Sequence, residues 1–245
     1  MSQRRDSLRL GIIPFPVDIF LRSLLIQASF NFRGMQNLGV AFSLLPLVKY
    51  KLIKERAADF LKKHMVFFNT HPYFSSPILA TIARLEVDGK RTDEVKKILG
   101  GPYAAIGDAF FWGALKPLGA VCAVLIALLG SNLAPLTFLL LYNVPHLWLR
   151  VGGFIYGYRG EKDGIEFIGT LNLPKTTLKI RYIIMFILPL VILLSTRSVF
   201  KNFSFNHDVY VLILTILLFY GMKRGIPRLK MIYGLFLVST LLLLW

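Results

Sequence analysis

The last third of the 245-residue chain consists of nearly pure aliphatic runs, whereas the part before it alternates short apolar pieces with polar breaks. The runs cover residues 182–195, 209–221 and 231–245, and none of them contains an acidic or basic residue. Such runs are typical of lipid-facing transmembrane helices, although each is shorter than the ~20 residues that an upright span requires. We therefore predict C-terminal transmembrane helices over residues 166–245.

Residues 17–165 are predicted to contain short helices, re-entrant hairpins and embedded polar turns. Residues 17–34 mix polar and apolar side chains too closely for a lipid-facing span, and we interpret them as an interfacial or packed helix. Residues 35–48 form an apolar run that is too short to cross a bilayer. This run is interpreted as half of a re-entrant hairpin, with Gln36 and Asn37 at one end. The predicted fold class of the chain is an α-helical integral membrane protein.

Composition and charge support a membrane location. Hydrophobic residues make up 55% of the chain, which is too apolar for an ordinary soluble domain, and the formal net charge is +16. The basic residues cluster between the apolar runs, as in cytoplasmic loops that face anionic lipid. Residues 223–230 and the N-terminal segment over residues 1–16 are therefore predicted to be cytoplasmic, and residues 196–208 to face outward. No pattern typical of a nucleic-acid-binding module is present.

Residues 49–63 are predicted to form a basic amphipathic helix. Ala57, Leu61, Met65 and Phe68 recur every three or four residues and would form its apolar face. The pattern fits a helix lying on the cytoplasmic membrane surface. An ordinary solvated helix face would produce the same pattern.

The polar stretch over residues 67–72 is the strongest candidate for a binding site. Pro72 disfavours helical backbone at His71, so the chain is expected to turn there. Asn69, Thr70 and His71 supply the donors and acceptors that sugar hydroxyls require. Irregular backbone survives in a membrane only where protein or a cavity satisfies it, which favours a functional site. A helix end followed by a loop is the alternative.

Asp108 and Trp112 are a second candidate pair, because residues four apart share one face of a helix. A carboxylate beside an indole suits a sugar, whose hydroxyl groups bind the carboxylate and whose CH face stacks on the ring. The alternatives are a helix N-cap for Asp108 and packing or interfacial anchoring for Trp112. No arrangement of nucleophile, base and orienting group is evident, and the only cysteine is Cys122. Catalytic residues, a metal site and a cofactor are therefore not predicted.

In order and spacing, several of these pieces resemble the IID subunit of the mannose family of the bacterial phosphotransferase system (PTS). The resemblance covers about residues 17–160, and the succession of pieces is specific where no single piece is. The matching pieces are Arg22-Ser23-Leu24-Leu25-Ile26-Gln27-Ala28-Ser29-Phe30-Asn31-Phe32, Met35-Gln36-Asn37-Leu38-Gly39, Phe67-Phe68-Asn69-Thr70-His71-Pro72, Gly107-Asp108 with Trp112, and Gly157-Tyr158-Arg159.

The resemblance implies a multi-pass subunit of a sugar permease in the bacterial cytoplasmic membrane. Such a chain pairs with a IIC subunit, and the pairs assemble as a trimer that carries a hexose by an elevator-like movement. Soluble IIA and IIB proteins supply phosphate from histidines, so the IID chain is not an enzyme and His71 is not expected to be phosphorylated. The expected sugar-binding residues are Asn69, Thr70, His71, Asp108, Trp112, Gln36 and Asn37.

Two departures from the family pattern bear on whether this chain carries the usual hexoses, and they are the basis of an alternative function. Ala109 stands where the family usually has proline after Gly-Asp, and the segment between Gly160 and Arg181 is shorter than usual. A shortened copy that has lost transport would serve as a membrane scaffold or regulator that docks IIB through its basic helix, residues 49–63.

Overall fold

The computed structural model describes residues 14–50, 52–53, 56–199, 205–227, 229–231 and 233–234. Within these ranges the chain is helical and forms only isolated β-bridges, without a strand. A π-helical segment over Asp108–Leu115 joins α5 directly to α6. The α-helices of the described part are α1 (Phe15–Ser23), α2 (Asn37–Lys49), α3 (Ala57–His64), α4 (Ser75–Val87), α5 (Asp93–Gly107), α6 (Lys116–Leu128), α7 (Ala134–Arg159), α8 (Glu161–Thr170), α9 (Leu173–Val199) and α10 (Phe205–Lys223).

Three helical segments of the described chain are long and apolar enough to cross a membrane: Asp93–Leu128, Ala134–Arg159 and Glu166–Thr196. The helical membrane class predicted from the sequence is therefore confirmed. The aliphatic run at residues 182–195 covers only part of α9. The helix begins nine residues earlier, and polar residues in its first turns kept that part out of the aliphatic run. The run at residues 231–245 and the N-terminal segment fall mostly outside the described residues.

The described chain divides into two compact units. One contains the residues up to Gly119 together with Leu139–Ile180, and it includes the polar stretch at residues 67–72. The other contains Ala120–Phe138 and the described residues from Arg181 onward. In this second unit Phe186 of α9 lies 6.0 Å from Phe219 of α10, measured between ring centroids.

The core of the first unit surrounds α4. Ile78, Leu79 and Ile82 are fully buried, and most other side chains of this helix are buried as well. A helix that is buried on all sides needs neighbours all round, and α1, α2, α5 and α8 pack against it. Helix α7 approaches α4 closely at Gly157, where an added Cβ would lie 2.6 Å from the Pro77 carbonyl oxygen.

The prediction for residues 49–63 was wrong in its helix bounds and in its buried face. The helix begins only at Ala57 and ends at His64, so Met65 and Phe68 lie beyond it. Phe60 and His64, four residues apart, are its fully buried side chains. Their rings pack at 4.5 Å, and this contact replaces the apolar face that the spacing predicted. Sequence spacing failed here because histidine fills a core position.

Residues 17–34 also differ from the single helix that was predicted. Helix α1 ends at Ser23, and a series of turns follows. The Ser23 hydroxyl donates to the Phe20 carbonyl oxygen at 2.6 Å and pairs with the Ser76 hydroxyl at 2.8 Å. These contacts fix the end of α1 against the start of α4.

Candidate functional site

The polar turn, defined here as residues 69–72, is held in place by the side chain of Gln36. The Gln36 amide donates to the Thr70 carbonyl oxygen at 2.8 Å and accepts the Thr70 backbone N–H at 3.0 Å. The Gln36 backbone N–H donates to the carbonyl oxygen of Phe68 at 2.9 Å. Gln36 is only 1% exposed. Its amide therefore pairs with the backbone of the turn as a neighbouring strand would. This side chain has a structural role.

Asn37 has a similar role one residue later. Its side-chain oxygen accepts an N–H of the Asn31 amide at 2.9 Å, and its amide nitrogen donates to the Met65 carbonyl oxygen at 3.1 Å. Asn37 thus links the turns that follow α1 to the chain that follows α3. The structure brings Gln36 to the polar turn and occupies its amide there with backbone contacts, whereas the Asn37 side chain bonds Asn31 and Met65 and forms no hydrogen bond to the turn.

His71 is buried with one ring nitrogen unused. Its Nδ1 accepts the Tyr73 backbone N–H at 3.2 Å, which assigns the proton of the neutral ring to Nε2. Nε2 has no hydrogen-bond partner, although the side chain is 1% exposed. Burial, followed by the charges of Arg150 and His146, lowers the pKa of His71 to about 4. The ring is therefore neutral near pH 7 and presents a donor.

The other two residues of the turn also have unused polar groups. The Thr70 hydroxyl is buried without a partner. Asn69 is half-buried, and its side chain makes no hydrogen bond to the described residues. It lines a cavity of about 760 Å³ together with Phe67, Arg91 and Lys97. The turn therefore offers an amide, a hydroxyl and an imidazole N–H that the described chain leaves unpaired.

Aromatic rings from the π-helical segment cover His71. The ring of Phe111 stacks on it at 5.0 Å, and the ring of Trp112 lies 4.8 Å away, both measured between centroids. Trp112 is half-exposed, so part of its indole remains accessible. The approach depends on Gly107, where an added Cβ would lie 2.3 Å from that of His71. π-Helical turns inside α-helices are frequent at functional sites.

Asp108 is exposed and forms no hydrogen bond or ion pair with the described residues. It lies inside the continuous helical segment Asp93–Leu128, so it is not a helix N-cap. The structure places it next to Gly107, and hence beside the contact with His71, without joining it to the polar turn.

Arg150 is the residue of this region that the sequence reasoning missed as a site candidate. Its Nη2 donates to the Pro72 carbonyl oxygen at 3.2 Å, and its guanidinium lies 4.8 Å from the centre of the Tyr73 ring. The side chain is 9% exposed, its Nε has no partner, and within the described ranges no carboxylate pairs with it. A buried cation of this kind in a membrane protein indicates function by default.

A regular spacing on α7 was the available signal for this residue. Tyr142, His146 and Arg150 are each four residues apart and therefore share one helix face. The Tyr142 hydroxyl pairs with that of Tyr73 at 2.9 Å, and the His146 ring stacks on Tyr73 at 4.3 Å. The face thus packs against the residue that follows the polar turn.

A second polar cluster lies at the ends of α3 and α4 and at the start of α5. Glu86 accepts hydrogen bonds from Lys63 at 2.9 Å and from the Thr92 hydroxyl at 2.7 Å. His64 Nε2 lies 3.2 Å from the same carboxylate. Burial would by itself raise the pKa of Glu86, but these contacts, led by that with His64, lower it to about 2. Burial lowers the pKa of His64. Each member contacts another member of the cluster, which indicates a structural role, although His64 Nδ1 is buried without a hydrogen-bond partner.

Comparison with known proteins identifies the family. Residues 16–209 match the profile of the PTS system mannose/fructose/sorbose family IID component. The chain belongs to this family. The mannose-specific EIID component of Escherichia coli K12 is 37% identical to this IID chain over 169 residues, which are 65% of this chain and 60% of that one. The fructose permease IID component of Bacillus subtilis is 28% identical over 254 residues, covering 91% and 92% of the two chains.

Two solved structures resemble the IID chain as a whole. One, described as a membrane protein, has a TM-score of 0.62, and the mannose transporter ManYZ in complex with microcin E492 has a TM-score of 0.54. Each is 27% identical, covering 92% of this chain and 94% of that one. The chain spans about three fifths of the length of the mannose-specific relative. The predicted family is confirmed, and the IID chain is a multi-pass protein of the bacterial inner membrane.

Proposed function

We propose that this IID chain is the membrane subunit of a mannose-type phosphotransferase permease, which forms with a IIC subunit the path that imports a hexose. The observation that carries the proposal is the polar turn with its unpaired groups. Thr70 Oγ1, His71 Nε2 and Arg150 Nε are all buried without a hydrogen-bond partner. A buried polar atom left unpaired costs about 1–3 kcal/mol. Three such atoms around one turn favour a ligand that supplies the missing partners.

Within this proposal, Asn69, Thr70 and His71 contact the sugar hydroxyls. Trp112 offers the accessible part of its indole to the CH face of the sugar ring, since it lies against His71. Asp108, which is exposed and one residue from the contact at Gly107, completes the site when the chain meets its partner. Gln36 positions the turn, and Asn37 joins the neighbouring turns through Asn31 and Met65. Neither contacts the sugar, because hydrogen bonds within the chain occupy both side chains.

The proposed partners are a IIC membrane subunit and the soluble IIA and IIB phosphocarriers, with IIC–IID pairs assembled as a trimer. The family membership supports these partners. Phosphate reaches the sugar from IIB, and the IID chain holds no phosphoryl group. The burial of His71 supports this division, because a ring that is 1% exposed has no access to a soluble phosphate donor.

Uptake measurements in membrane vesicles test the proposal. The vesicles contain this chain with its IIC and IIB partners, and hexose uptake is measured with and without a phosphorylated IIA donor. We expect phosphate-dependent uptake that Asn69→Ala reduces at least tenfold. The matched control is Gln27→Ala, because Gln27 is also a polar residue of a non-helical turn but is exposed.

Two outcomes would contradict the proposal. Unchanged uptake by Asn69→Ala in a folded complex would remove Asn69 from the site. The absence of uptake by a stable complex that still captures IIB would favour the scaffold function. The exposed basic residues of the α3 region, Arg56 and Lys62, support docking as that second candidate.

A further inference from the structure

The cavity that Asn69 lines has a basic wall. Its volume is about 760 Å³, which lies in the size range of ligand pockets. Arg91 and the first turns of α5 supply its charged groups, which are three basic side chains and one carboxylate: Arg91, Lys96, Lys97 and Asp93. We call this space the basic cavity. Its lining carries an excess of positive charge beside the amide of the polar turn.

A neighbouring cavity shows that this excess is local. It has a volume of about 610 Å³ and shares two charged residues with the basic cavity. Its lining balances three basic residues against three acidic ones: Lys63, Lys90, Arg91, Glu86, Asp88 and Asp93. A cavity lined mainly by one sign of charge concentrates ligands of the opposite sign. Of these two cavities, the basic cavity is therefore the one that suits an anion.

Two of the three cations in the basic cavity have donors available. Lys96 is 6% exposed, and its ammonium group donates to the Lys63 carbonyl oxygen at 3.1 Å and lies 3.7 Å from Asp93. Arg91 and Lys97 are exposed, and neither forms an ion pair with the described residues. Lys96 therefore has a structural role and partly balances Asp93, whereas Arg91 and Lys97 can bind a ligand.

Two glycines of α5 leave room for a ligand beside the polar turn. Gly100 and Gly101 both line the basic cavity. An added Cβ at Gly100 would lie 3.3 Å from the Asn69 carbonyl oxygen, whereas an added Cβ at Gly101 meets no atom within 4 Å. The helix thus lies against the turn at one glycine and borders open space at the next. A larger side chain at position 101 would occupy that space.

The basic cavity lies where the spanning segment Asp93–Leu128 begins. Basic residues next to the end of a span mark its cytoplasmic side. On the proposed function, this is the side on which soluble IIB transfers phosphate to the imported hexose. A free hexose is uncharged and would leave both cations unused, whereas a phosphorylated hexose carries an anionic group and hydroxyls.

We propose that the basic cavity binds this phosphorylated hexose, with the phosphate at Arg91 and Lys97 and a sugar hydroxyl at Asn69. The proposal rests on the proposed transport function. Arginine binds phosphate through two parallel N–H donors, and lysine binds it as a point charge. The cavity then holds the product at the cytoplasmic end of the path before it is released.

Isothermal titration calorimetry of the purified IIC–IID complex tests the proposal. The titrants are mannose, glucose and fructose, the 6-phosphate of each, and inorganic phosphate. Arg91→Gln and Lys97→Gln each remove one charge, and Gly101→Phe fills the cavity. The first control is Lys90→Gln, which removes an exposed cation that lines only the neighbouring cavity. The second is Gly169→Phe in α8, where an added Cβ also meets no atom within 4 Å.

We expect one hexose 6-phosphate to bind more tightly than its free hexose and than inorganic phosphate. Arg91→Gln and Lys97→Gln should each weaken this binding about tenfold, because hydrogen bonds to charged groups are strong enough for an effect of that size. Both should leave the binding of the free hexose unchanged. Gly101→Phe should abolish binding of the sugar phosphate, and both controls should bind it as the wild type does.

Three results would overturn the proposal. Equal affinity for the sugar phosphate and for inorganic phosphate would show that the cavity does not recognise the sugar. An equal loss in Lys90→Gln would indicate general attraction of anions to the basic surface. Loss of phosphorylated IIB from Arg91→Gln in a pull-down, with sugar phosphate binding unchanged, would assign these cations to the phosphohistidine of that protein.

The same measurements separate this proposal from the transport function. Hexose uptake without preferential binding of the sugar phosphate would overturn the role of the basic cavity and leave transport intact. Absence of hexose uptake, together with sugar phosphate binding that depends on Arg91 and Lys97, would contradict the transport function and support the cavity as a binding site.

Discussion

At the scale of single residues, Arg150 carries the sharpest prediction. The buried guanidinium has no carboxylate partner in the described chain, so its replacement by an apolar side chain relieves a desolvation cost. We expect Arg150→Met to leave the melting temperature of the complex unchanged or raised, while hexose uptake falls at least tenfold. The control is Leu149→Met, a volume-conserving change at the adjacent buried position.

A purely structural Arg150 would behave differently. Arg150→Met would then lower the melting temperature and the uptake together, because the Pro72 carbonyl oxygen would lose one of its two donors and keep only the Ser75 hydroxyl. Arg150→Lys separates charge from geometry, since lysine keeps the charge but not the planar fork that reaches the carbonyl and the Tyr73 ring. Wild-type uptake by Arg150→Met would remove this residue from the transport mechanism.

The polar turn was predictable from sequence because its signal is local. Pro72 and the three polar residues before it are contiguous, and their consequences follow from backbone restriction and desolvation. The contact of Arg150 was not predictable in the same way, because 78 residues separate it from Pro72. The roles of Gln36 and Asn37 were equally hidden, since amide side chains suit a sugar and a backbone turn alike.

At the scale of elements, the junction of α5 with the polar turn depends on a glycine. An added Cβ at Gly107 would lie 2.3 Å from the Cβ of His71, so Gly107→Ala forces the helix and the turn apart. Overpacking of this kind typically costs about 1–3 kcal/mol. We expect a lower melting temperature and weaker uptake, both measured on the purified IIC–IID complex.

Gly101 provides a matched control in the same helix. A Cβ there meets no atom within 4 Å, so Gly101→Ala should be neutral or stabilising by up to about 1 kcal/mol through helix propensity. Equal effects of the two substitutions would show that α5 tolerates alanine at both sites. That result would contradict the close contact between α5 and His71.

The cluster around Glu86 predicts how the α3–α5 junction responds to acid. The pKa of Glu86 is lowered to about 2 from an ordinary value of 4.5, so its stabilisation is present above pH 4.5 and is lost as pH falls toward 2. The pKa of His64 is also lowered, so destabilisation begins as pH falls below 6.5. Both groups therefore make the protein less stable in acid.

Melting temperatures from pH 7.5 to pH 3 measure this response. Glu86→Gln should destabilise the protein at pH 7, because it leaves Lys63 without its carboxylate. The difference from the wild type should begin to shrink below pH 4.5. His64→Gln should flatten the decline between pH 6.5 and pH 5. A pH-independent difference for Glu86→Gln would show that the cluster acts by shape and not by charge.

Several elements were predicted well because their signals are extended. The aliphatic runs of α9 and α10 follow from apolar length alone. The prediction for the α3 region failed because two kinds of pattern compete there. Basic residues suggested a surface helix, whereas His64 and Phe60 enter the core and are anchored by Glu86, which lies more than twenty residues away. The spacing of apolar residues within one helix gives no information about a partner that is distant in the sequence.

At the scale of the whole molecule, the exposed aromatic side chains indicate a surface that neither lipid nor water covers well. Phe32 is 96% exposed and Phe67 is 65% exposed. Both belong to turns that meet through the bridge between Met35 and Phe68. Irregular backbone is not stable against lipid, because its polar groups would remain unpaired. Exposed apolar patches at such positions mark protein contacts.

We therefore expect these two aromatics to contact the proposed IIC subunit. Phe32→Ser with Phe67→Ser should abolish co-purification of IIC from membranes while the IID chain remains inserted. The matched control is Phe186→Ser, which removes an equally exposed phenylalanine from the spanning helix α9, where lipid is the natural neighbour. Loss of IIC in the control alone would indicate that the C-terminal helices contact IIC. Retention of IIC in the double variant and in the control would show that Phe32 and Phe67 do not contact IIC.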